Sequence, residues 1–568
     1  MPTVADYVME RLSALGIDHV FGVPGDYSFP IDNAVESSPR LKWVVCSNEL
    51  NAAYAADGYA RRRGAAILST TYGVGELSAL NGVMGSKAHR LPVFHVVGAP
   101  STRIQRRRLV THHSLGDGSP DPFVAVSASA AGVSVQLTPD NAVQEMDRVI
   151  REAFRLSQPA YILIPEDLAL MPVRGLPSAR TRSMGRPVPS SDPRELQGAV
   201  ESILTRLKAA RKVVVLPSFH LARYGALGDL RDLLGRSRLP FALTPMDKGL
   251  LDESLPGYLG LYNGHRSAPE TVASVVEGAD VVLDLGGVIP EDLNMGLWTG
   301  ALDPSRVITV GPEHVDVGGD LFTSIALVDV VRALATRIPA RRGTAVAALK
   351  RVSLPGGASD PVSSPTLYPR LERFLRGGDI LVAETGTCML HLSRLRLPVG
   401  VGYESQTLWG SIGWATPAAL GVALAEPGRR VVMVTGDGAH QFTATELGVM
   451  GRYGINPVIL VLNNGLYGVE EVISERGHVY DDLAGWDYHR VPEAMRCRGW
   501  FCARVATVAE LESALERARS HKGACYLEVI IPAEESQPLE RSLIDNLYRT
   551  KTPAPKPSAR KRKAGGSR

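Results

Sequence analysis

The sequence predicts an α/β fold class with three domains, each a doubly wound parallel sheet. A chain of 568 residues is too long for one core, because a domain usually takes ~100 to 200 residues. Apolar strand-like runs alternate with helical segments along the chain. Stretches rich in Pro, Ser, Gly and Ala at 174–194 and 341–365 have the composition of linkers. They divide the chain into an N-terminal domain at 1–178, a central domain at 190–342, a C-terminal domain at 360–548 and a basic tail at 549–568.

The central domain shows this alternation clearly. Runs rich in Val, Leu and Ile, which predict buried strands, lie at 213–216, 240–243, 281–285 and 306–310. A Gly-Gly pair follows the third run, but the domain contains no GxGxxG fingerprint. Nicotinamide binding therefore has no support in the sequence.

The composition is that of a soluble globular protein. Hydrophobic residues make up 45% of the chain and charged residues 21%. No apolar stretch approaches the ~18 residues needed to cross a bilayer. Residues 4–15 have helical spacing and lack a basic leader and a cleavage site, so they are not expected to be a signal peptide. The five cysteines are scattered, lack the spacing of metal ligands and fit a reducing compartment. We expect a cytoplasmic protein with no membrane partner.

Positive charge is concentrated at the C-terminus. Residues 551–568 contain seven Lys or Arg and no acidic residue, whereas the whole chain has a net charge of only +3. This segment is rich in Pro, Ala, Gly and Ser, so it is predicted to be disordered. A basic tail can bind nucleic acid, but a solvated extension is the simpler interpretation. We expect no nucleic-acid partner.

Polar side chains follow two strand-like runs of the C-terminal domain. Asp437 lies in a Gly-Asp-Gly turn after the run 430–434, and Asn463 and Asn464 follow the run 457–462. Open α/β sheets place their ligands at the carboxyl ends of parallel strands. A carboxylate and an amide oxygen can share one Mg²⁺, which also binds phosphate oxygens. The sequence therefore predicts a Mg²⁺ site that holds a diphosphate.

The N-terminal domain contains three further motifs. They are FGVPGDY at 21–27, NELNAAYAADGYA at 48–60 and HHSLGDG at 112–118. Together with the two C-terminal motifs, they resemble the pyruvate and indolepyruvate decarboxylase family of thiamine-diphosphate enzymes, up to about residue 545. The resemblance implies thiamine diphosphate and Mg²⁺ as cofactors. It also implies a pyrimidine-binding N-terminal domain, a degenerate nucleotide-binding-like central domain with a structural or regulatory role, and a diphosphate-binding C-terminal domain.

The resemblance assigns roles to individual positions. The implied catalytic residues are Asp26, Glu49, His112, His113 and Glu470. The implied cofactor-binding residues are Glu49, Thr385, Thr387, Gly410, Ile412, Asp437, Gly438, Ala439 and Asn464. The implied metal ligands are the side chains of Asp437 and Asn464 and the backbone carbonyl of Leu466, where the family often has Gly. The implied walls of the substrate pocket are Met389, Val469 and Ile473.

Two of these positions shape the cofactor. In the family, a carboxylate at the position of Glu49 binds the aminopyrimidine ring nitrogen. A side chain at the position of Ile412 props the two cofactor rings together, and isoleucine suits this role because it is stiff at χ1. Local sequence alone would make Glu49 a helix N-terminal acid and the segment around Ile412 a tight buried turn. The flanking matches favour the cofactor roles.

The adjacent acids Glu470 and Glu471 require a choice. Spacing from Asn464 favours Glu470 as the catalytic acid. On a helix, Val469, Glu470 and Ile473 would share one side, because residues three and four apart are neighbours. Glu471 is then expected to point to solvent.

The implied reaction is non-oxidative decarboxylation of a 2-oxo acid to an aldehyde and CO₂ through a thiamine diphosphate enamine. Carboligating relatives generally lack the His pair together with the glutamate, so aldehyde release is favoured. Met is adaptable and Val is small, so Met389 and Val469 favour a branched-chain acid, phenylpyruvate or indolepyruvate. Three alternatives stay open: a pyruvate decarboxylase, an acyloin-forming carboligase on the same fold, and a non-catalytic cofactor-binding scaffold.

Assembly follows from the same resemblance. Glu49 and Asp437 lie in different domains, and the active sites of the family form where these domains meet across a dimer. We therefore expect a homodimer or homotetramer whose monomer is inactive. A helix around 539–548 is expected to help close the pocket.

Overall fold

The computed structural model describes residues 1–119, 121–175, 187, 189–341, 353–474 and 477–533. The predicted tail at 549–568, the predicted helix at 539–548 and parts of both predicted linkers lie outside the described residues. Within the described ranges, no helix is both long enough and apolar enough to cross a membrane.

Strands and helices alternate along the described chain. The strands are β1 (His19–Gly22), β2 (Lys42–Val45), β3 (Ala66–Thr71), β4 (Val93–Ala99), β5 (Val133–Gln136), β6 (Ala160–Pro165), β7 (Val213–Pro217), β8 (Phe241–Leu243), β9 (Tyr258–Leu261), β10 (Val281–Leu285), β11 (Val307–Val310), β12 (His314–Val317), β13 (Asp320–Thr323), β14 (Ile380–Ala383), β15 (Gly402–Ser405), β16 (Val431–Gly436), β17 (Val458–Asn463), β18 (Phe501–Val505) and β19 (Cys525–Ile530). The α-helices are α1 (Val4–Ser13), α2 (Phe29–Glu36), α3 (Glu49–Arg63), α4 (Val74–Ala88), α5 (Thr102–Arg107), α6 (Asp121–Ala130), α7 (Ala142–Leu156), α8 (Glu166–Ala169), α9 (Pro193–Ala209), α10 (His220–Arg223), α11 (Leu227–Ser237), α12 (Thr271–Glu277), α13 (Leu327–Arg337), α14 (Ser364–Phe374), α15 (Thr387–Leu392), α16 (Ala415–Ala425), α17 (Asp437–Thr443), α18 (Glu446–Arg452), α19 (Gly468–Ser474), α20 (Val491–Ala494) and α21 (Val508–Ser520).

The strands form three sheets, and each sheet lies within one predicted domain. The N-terminal sheet has the order β2-β1-β3-β4-β6-β5 and the C-terminal sheet β15-β14-β16-β17-β19-β18, with the paired strands parallel in both. The central sheet has the order β13-β12-β11-β10-β7-β8-β9. The predicted α/β class with doubly wound sheets is confirmed, and the four runs predicted in the central domain are β7, β8, β10 and β11.

The central sheet departs from the prediction at one edge, where β12 pairs antiparallel with both β11 and β13. Only Gly318 and Gly319 separate β12 from β13, and both have positive φ. Such a short connection can join only antiparallel strands, because a parallel crossover needs a dozen or more residues.

The burial of β16 and β17 ends at the carboxyl edge of the C-terminal sheet. Residues of β16 and β17 are buried until the last position, where Gly436 and Asn463 become half-exposed. Parallel strands covered on both faces have continuous apolar runs, as these do. The chain therefore leaves the core at the carboxyl edge, and the polar residues that follow lie there.

Helices α3 and α16 join the N- and C-terminal domains into one hydrophobic core. Small residues allow this close approach. A Cβ added at Gly421 would lie 1.9 Å from the carbonyl oxygen of Ala55, and one added at Gly58 would lie 2.3 Å from that of Ala418. The packing fixes the start of α3, where Glu49 lies, relative to the start of α16.

Candidate active site

A cavity of about 390 Å³ opens at the carboxyl edge of the C-terminal sheet. Its lining residues include ones that follow β14, β16, β17 and β19, and others that precede α16. Its lining includes Thr385, Thr387, Gly410, Ile412, Asp437, Gly438, Ala439, Asn464, Leu466, Val469 and Glu470. The structure thus brings together every predicted cofactor-binding and metal-ligating residue of the C-terminal domain.

Asp437 is the buried carboxylate of the cavity. It begins α17 directly after β16 and is 2% exposed. Its Oδ1 accepts a hydrogen bond from the N–H of Gly438 (2.9 Å), and its Oδ2 accepts one from the N–H of Gly465 (2.7 Å). Burial raises the pKa of Asp437 to about 6, although hydrogen bonds from backbone N–H groups oppose the shift. A bound cation would offset this cost of burying a charge.

The other two predicted ligands supply neutral oxygens. The Asn464 Oδ1 accepts a hydrogen bond from the N–H of Leu466 (3.2 Å). Leu466 also forms an isolated antiparallel bridge with Asp482, and its φ is not in the left-handed region. Its Cβ therefore causes no backbone strain where the family often has Gly. One carboxylate, one amide and one carbonyl are the hard oxygen donors that suit Mg²⁺.

The cavity also presents backbone N–H groups that suit a diphosphate. Thr387 begins α15 and Asp437 begins α17, and the first N–H groups of a helix have no intrahelical partner. Such groups can donate hydrogen bonds to phosphate oxygens. A Cβ at Gly438 would lie 2.6 Å from the ring of Tyr467, so only glycine leaves this turn undisturbed.

The segment 409–414, which contains Gly410 and Ile412, is anchored by the N-terminal domain. The indole Nε1 of Trp409 donates to the Asn81 Oδ1 (2.8 Å), and that of Trp414 donates to the Asp57 Oδ1 (2.9 Å). The hydroxyls of Ser411 and Tyr54 are also hydrogen-bonded to each other. These contacts hold the predicted ring-supporting side chain, Ile412, at the cavity wall.

Glu384 is a buried residue that the sequence analysis missed. Its Oε1 accepts a hydrogen bond from the N–H of Thr385 and its Oε2 one from the N–H of Ala415, both at 3.0 Å. Burial raises the pKa of Glu384 to about 7. The carboxyl group thus connects the segment that carries Thr385 to the segment that carries Ile412. Glu384 directly follows β14, as Asp437 follows β16, but no motif in the sequence marks it as a site residue.

Glu49 is the first residue of α3 and is half-buried. The preceding Asn48 caps the helix, with its Oδ1 accepting from the N–H of Asn51 (2.8 Å). A second missed acid, the fully buried Glu446, accepts hydrogen bonds through its Oε2 from the Ser47 hydroxyl (2.7 Å) and the Asn51 side chain (2.8 Å). Glu446 therefore fixes the start of α3 from the C-terminal domain.

Asp26, His112 and His113 form a separate cluster, here called the His–Asp cluster. The His112 Nε2 lies 2.7 Å from the Asp26 Oδ2. The His112 ring stacks on Tyr27 with a centroid distance of 4.9 Å and an interplanar angle of 10°. The rings of His112 and His113 are 4.6 Å apart, so the predicted proton-transfer groups of the N-terminal domain do lie together.

Some predicted residues do not line the cavity. In the described part of this single chain, Asp26, Glu49, His112, His113, Met389 and Ile473 are not among its lining residues. Met389 is buried and accepts a hydrogen bond at Sδ from the Thr407 hydroxyl (3.5 Å), whereas Ile473 is half-buried in α19.

The expectation that Glu471 points to solvent is wrong. Glu471 is half-buried while Glu470 is exposed, and both acids line the cavity. Helix α19 begins at Gly468, so both acids lie in its first turn. Their position beside the cavity mouth allows both to reach it.

Comparison with known proteins agrees with this geometry. Residues 2–119 match the thiamine pyrophosphate enzyme N-terminal TPP binding domain, residues 200–338 the central domain and residues 384–529 the C-terminal TPP binding domain. The chain is 40% identical to the alpha-keto-acid decarboxylase of Mycolicibacterium paratuberculosis over 539 residues, which cover 94% of each chain. It is 39% identical to that of Mycobacterium avium with the same coverage. It is 36% identical to that of Mycobacterium tuberculosis over 550 residues, 96% of this chain and 97% of the relative.

Three matched domains in order, near full-length relatives and a cavity lined by the motif residues all indicate one family. The chain belongs to the thiamine pyrophosphate enzymes, among the 2-oxo acid decarboxylases.

Proposed function

We propose that this enzyme decarboxylates a 2-oxo acid whose side chain is larger than methyl, with thiamine diphosphate held through Mg²⁺. One observation carries the proposal: Val469 and Glu470 line the same cavity as Asp437 and Asn464. A small side chain at Val469 leaves room beside the predicted reaction centre. A branched-chain, phenyl or indolyl side chain would fill that room. Met389 and Ile473 remain predicted pocket walls.

The cofactor would be held mainly by the C-terminal domain. The side chains of Asp437 and Asn464 and the carbonyl of Leu466 would bind Mg²⁺, and backbone groups at Gly438 and Ala439 would bind the diphosphate. When bound, thiamine diphosphate supplies the carbanion and the electron sink for CO₂ loss. Glu49 would hold a proton at the aminopyrimidine ring nitrogen.

The His–Asp cluster and Glu470 would move protons at the substrate. The 2.7 Å contact between His112 and Asp26 fixes the ring for transfer, and each positioned acid or base typically contributes ~10² to 10⁴-fold in rate. Protonation of the carbon that loses CO₂ directs the reaction to an aldehyde. Glu471 lines the same cavity, so it is the second acid to be tested.

A complete site would require two subunits. Glu49 and the His–Asp cluster are not among the residues that line the cavity within one chain. A partner subunit that presents its N-terminal domain to this cavity would bring both groups to the cofactor. We therefore propose a homodimer, or a homotetramer of such dimers.

The test is a substrate series. The full-length protein, reconstituted with thiamine diphosphate and Mg²⁺, should release CO₂ and aldehyde from 3-methyl-2-oxobutanoate, phenylpyruvate or indolepyruvate faster than from pyruvate. Glu49→Gln should abolish release from every acid, because glutamine cannot donate or accept the ring proton in the same way. Glu470→Gln and Glu471→Gln identify the catalytic acid.

Two results would contradict the proposal. Turnover of pyruvate alone would identify a pyruvate decarboxylase. Absence of CO₂ release from all four acids would favour either a non-catalytic scaffold or a carboligase that uses a different donor substrate. Productive consumption of an added acceptor aldehyde would distinguish the carboligase.

A further inference from the structure

We propose that the His–Asp cluster is a binding site for a transition-metal divalent cation such as Zn²⁺, distinct from the Mg²⁺ site, and that metal bound there blocks turnover. The inhibitory part rests on the proposed function, whereas the binding part rests on geometry alone.

The three side chains are already close enough to share one ion. Asp26, His112 and His113 each offer one ligand atom, and these atoms lie within 4.8 Å of one another. Zn²⁺ binds imidazole nitrogen and carboxylate oxygen at about 2.0 to 2.2 Å, so two ligands of a tetrahedral ion lie about 3.3 Å apart. The contact of 2.7 Å between His112 and Asp26 needs to open only slightly.

Tyr27 packs against both rings, face to face with His112 and edge to face with His113. The His112 ring is stacked on the buried Tyr27. His113 has a φ of 60°, and a Cβ at Gly73 would lie 2.3 Å from its carbonyl oxygen, so only glycine fits beneath it. The His113 Nδ1 is buried without a hydrogen-bond partner within the described chain. A metal would therefore meet a preformed pair of imidazoles.

Within one chain, the cluster is open to ions from solvent. The side chains of His112 and Asp26 are 56% and 44% exposed. Three protein ligands leave the fourth tetrahedral position for water, as in open zinc sites. Within one chain, this exposure gives an ion both an entry path and a free coordination position.

The His–Asp cluster and the predicted Mg²⁺ site differ in the metal ions that their ligands prefer. Imidazole nitrogens suit Zn²⁺, Ni²⁺ and Co²⁺, whereas carboxylate and carbonyl oxygens suit Mg²⁺. The His–Asp cluster contains two imidazoles, and the set of Asp437, Asn464 and Leu466 contains only oxygen donors. Excess Mg²⁺ should therefore leave the cluster available to Zn²⁺. Because the imidazole lone pairs would be bound to metal, His112 and His113 could no longer transfer protons.

Binding is tested with Co²⁺ as a spectroscopic probe for the zinc-type site. The untagged full-length protein, in excess Mg²⁺, should show the visible d–d bands of four-coordinate Co²⁺ at one ion per chain. Loss of an outer-shell partner typically costs about 10- to 100-fold in metal affinity, so Asp26→Asn and His113→Gln should each weaken Co²⁺ binding by at least that much, since each removes a direct ligand. Asp437→Asn is the matched control and should retain the bands.

Several outcomes would overturn the site. They are the absence of d–d bands, unchanged bands in both cluster variants, and sulfur-to-cobalt charge-transfer bands that place the ion on cysteine. Circular dichroism of each variant excludes unfolding as the cause of lost binding.

Inhibition is tested separately from binding. Zn²⁺ added to the active holoenzyme in excess Mg²⁺ should abolish CO₂ release, and a chelator selective for Zn²⁺ should restore it. Full activity with the cluster occupied would overturn the inhibitory part. Normal Co²⁺ bands in a protein that decarboxylates no acid would instead overturn the proposed function and support the metal site.

Discussion

Glu384, Asp437 and Glu446 are carboxylates that the fold buries beside hydrogen-bond donors. Each accepts hydrogen bonds from groups distant in sequence, such as Gly465 for Asp437 and Asn51 for Glu446. A carboxylate has two oxygens that accept such bonds, whereas an amide side chain has only one acceptor oxygen and an apolar side chain has none. Glu384 and Asp437 therefore position backbone segments that line the cavity, and Glu446 positions the start of α3.

Substitution Glu384→Gln should loosen the cavity wall. Glutamine has one acceptor oxygen, so either the N–H of Thr385 or that of Ala415 loses its partner, at a cost of about 1 to 3 kcal/mol. We expect a higher KM for thiamine diphosphate with a smaller change in kcat. Glu516→Gln, at an acid whose side chain is 79% exposed in the same domain, is the control. Unchanged cofactor affinity would argue against a positioning role.

The same variant should change the pH dependence of stability. The folded state raises the pKa of Glu384 to about 7, so the folded protein retains this proton after the unfolded chain has lost it. The contribution of Glu384 to the free energy of unfolding should therefore fall as the pH rises from about 4.5 to about 7. In Glu384→Gln this component should be absent, as measured by denaturation of the cofactor-free protein across that range.

Contact between α3 and α16 is the element-scale feature that builds the site. Gly421 and Gly58 allow each helix backbone to approach the other, and both helices contribute to one core. The segment 409–414 leads into α16, while Glu49 begins α3. Changes in the helix spacing therefore move two parts of the predicted cofactor site at once.

Gly421→Ala should destabilise this contact. The new methyl group would lie 1.9 Å from the Ala55 carbonyl oxygen. Such overpacking typically lowers the free energy of unfolding by about 1 to 3 kcal/mol. We expect a lower unfolding midpoint and weaker cofactor binding.

Gly235→Ala is the matched control for that substitution. Gly235 lies inside α11, and an added Cβ meets nothing within 4 Å. Replacing a helical glycine by alanine should stabilise the protein by about 0.5 to 1 kcal/mol. Equal effects of the two substitutions would contradict the packing argument.

At the scale of the whole molecule, the predicted catalytic groups are divided between two places. The C-terminal cavity holds the predicted metal-binding and diphosphate-binding residues, whereas Glu49 and the His–Asp cluster belong to the N-terminal domain. An assembly in which each cavity receives these groups from a partner subunit would unite them.

Mixing two inactive variants tests that assembly. Glu49→Gln and Asp437→Asn should each be inactive alone. After subunit exchange at equal amounts, half of the dimers should be mixed, and each mixed dimer should contain one intact site. The mixture should then recover about a quarter of the wild-type decarboxylation rate. If each site were formed within one chain, the mixture would recover no decarboxylation activity, because every chain carries one inactivating substitution.

The sequence by itself determined the family, the α/β class and those cavity residues that lie in its motifs. Asp437, Asn464 and Glu470 lie in contiguous motifs after predicted strands, and the carboxyl ends of parallel strands converge by geometry. Buried strands have long apolar runs that are visible without a structure. The antiparallel pairing at β12 and β13 was missed because the predicted strands of this domain stopped at 310.

Only the tertiary structure decided which distant residues hold the site together. Glu446 contacts Asn51 across 395 residues, and Glu384 joins two segments that are separated by a helix and a strand. Glu471 also turned out to line the cavity, because helical spacing does not specify which side of a helix faces an opening. Burial and long-range hydrogen bonds depend on how elements pack, so local sequence does not record them.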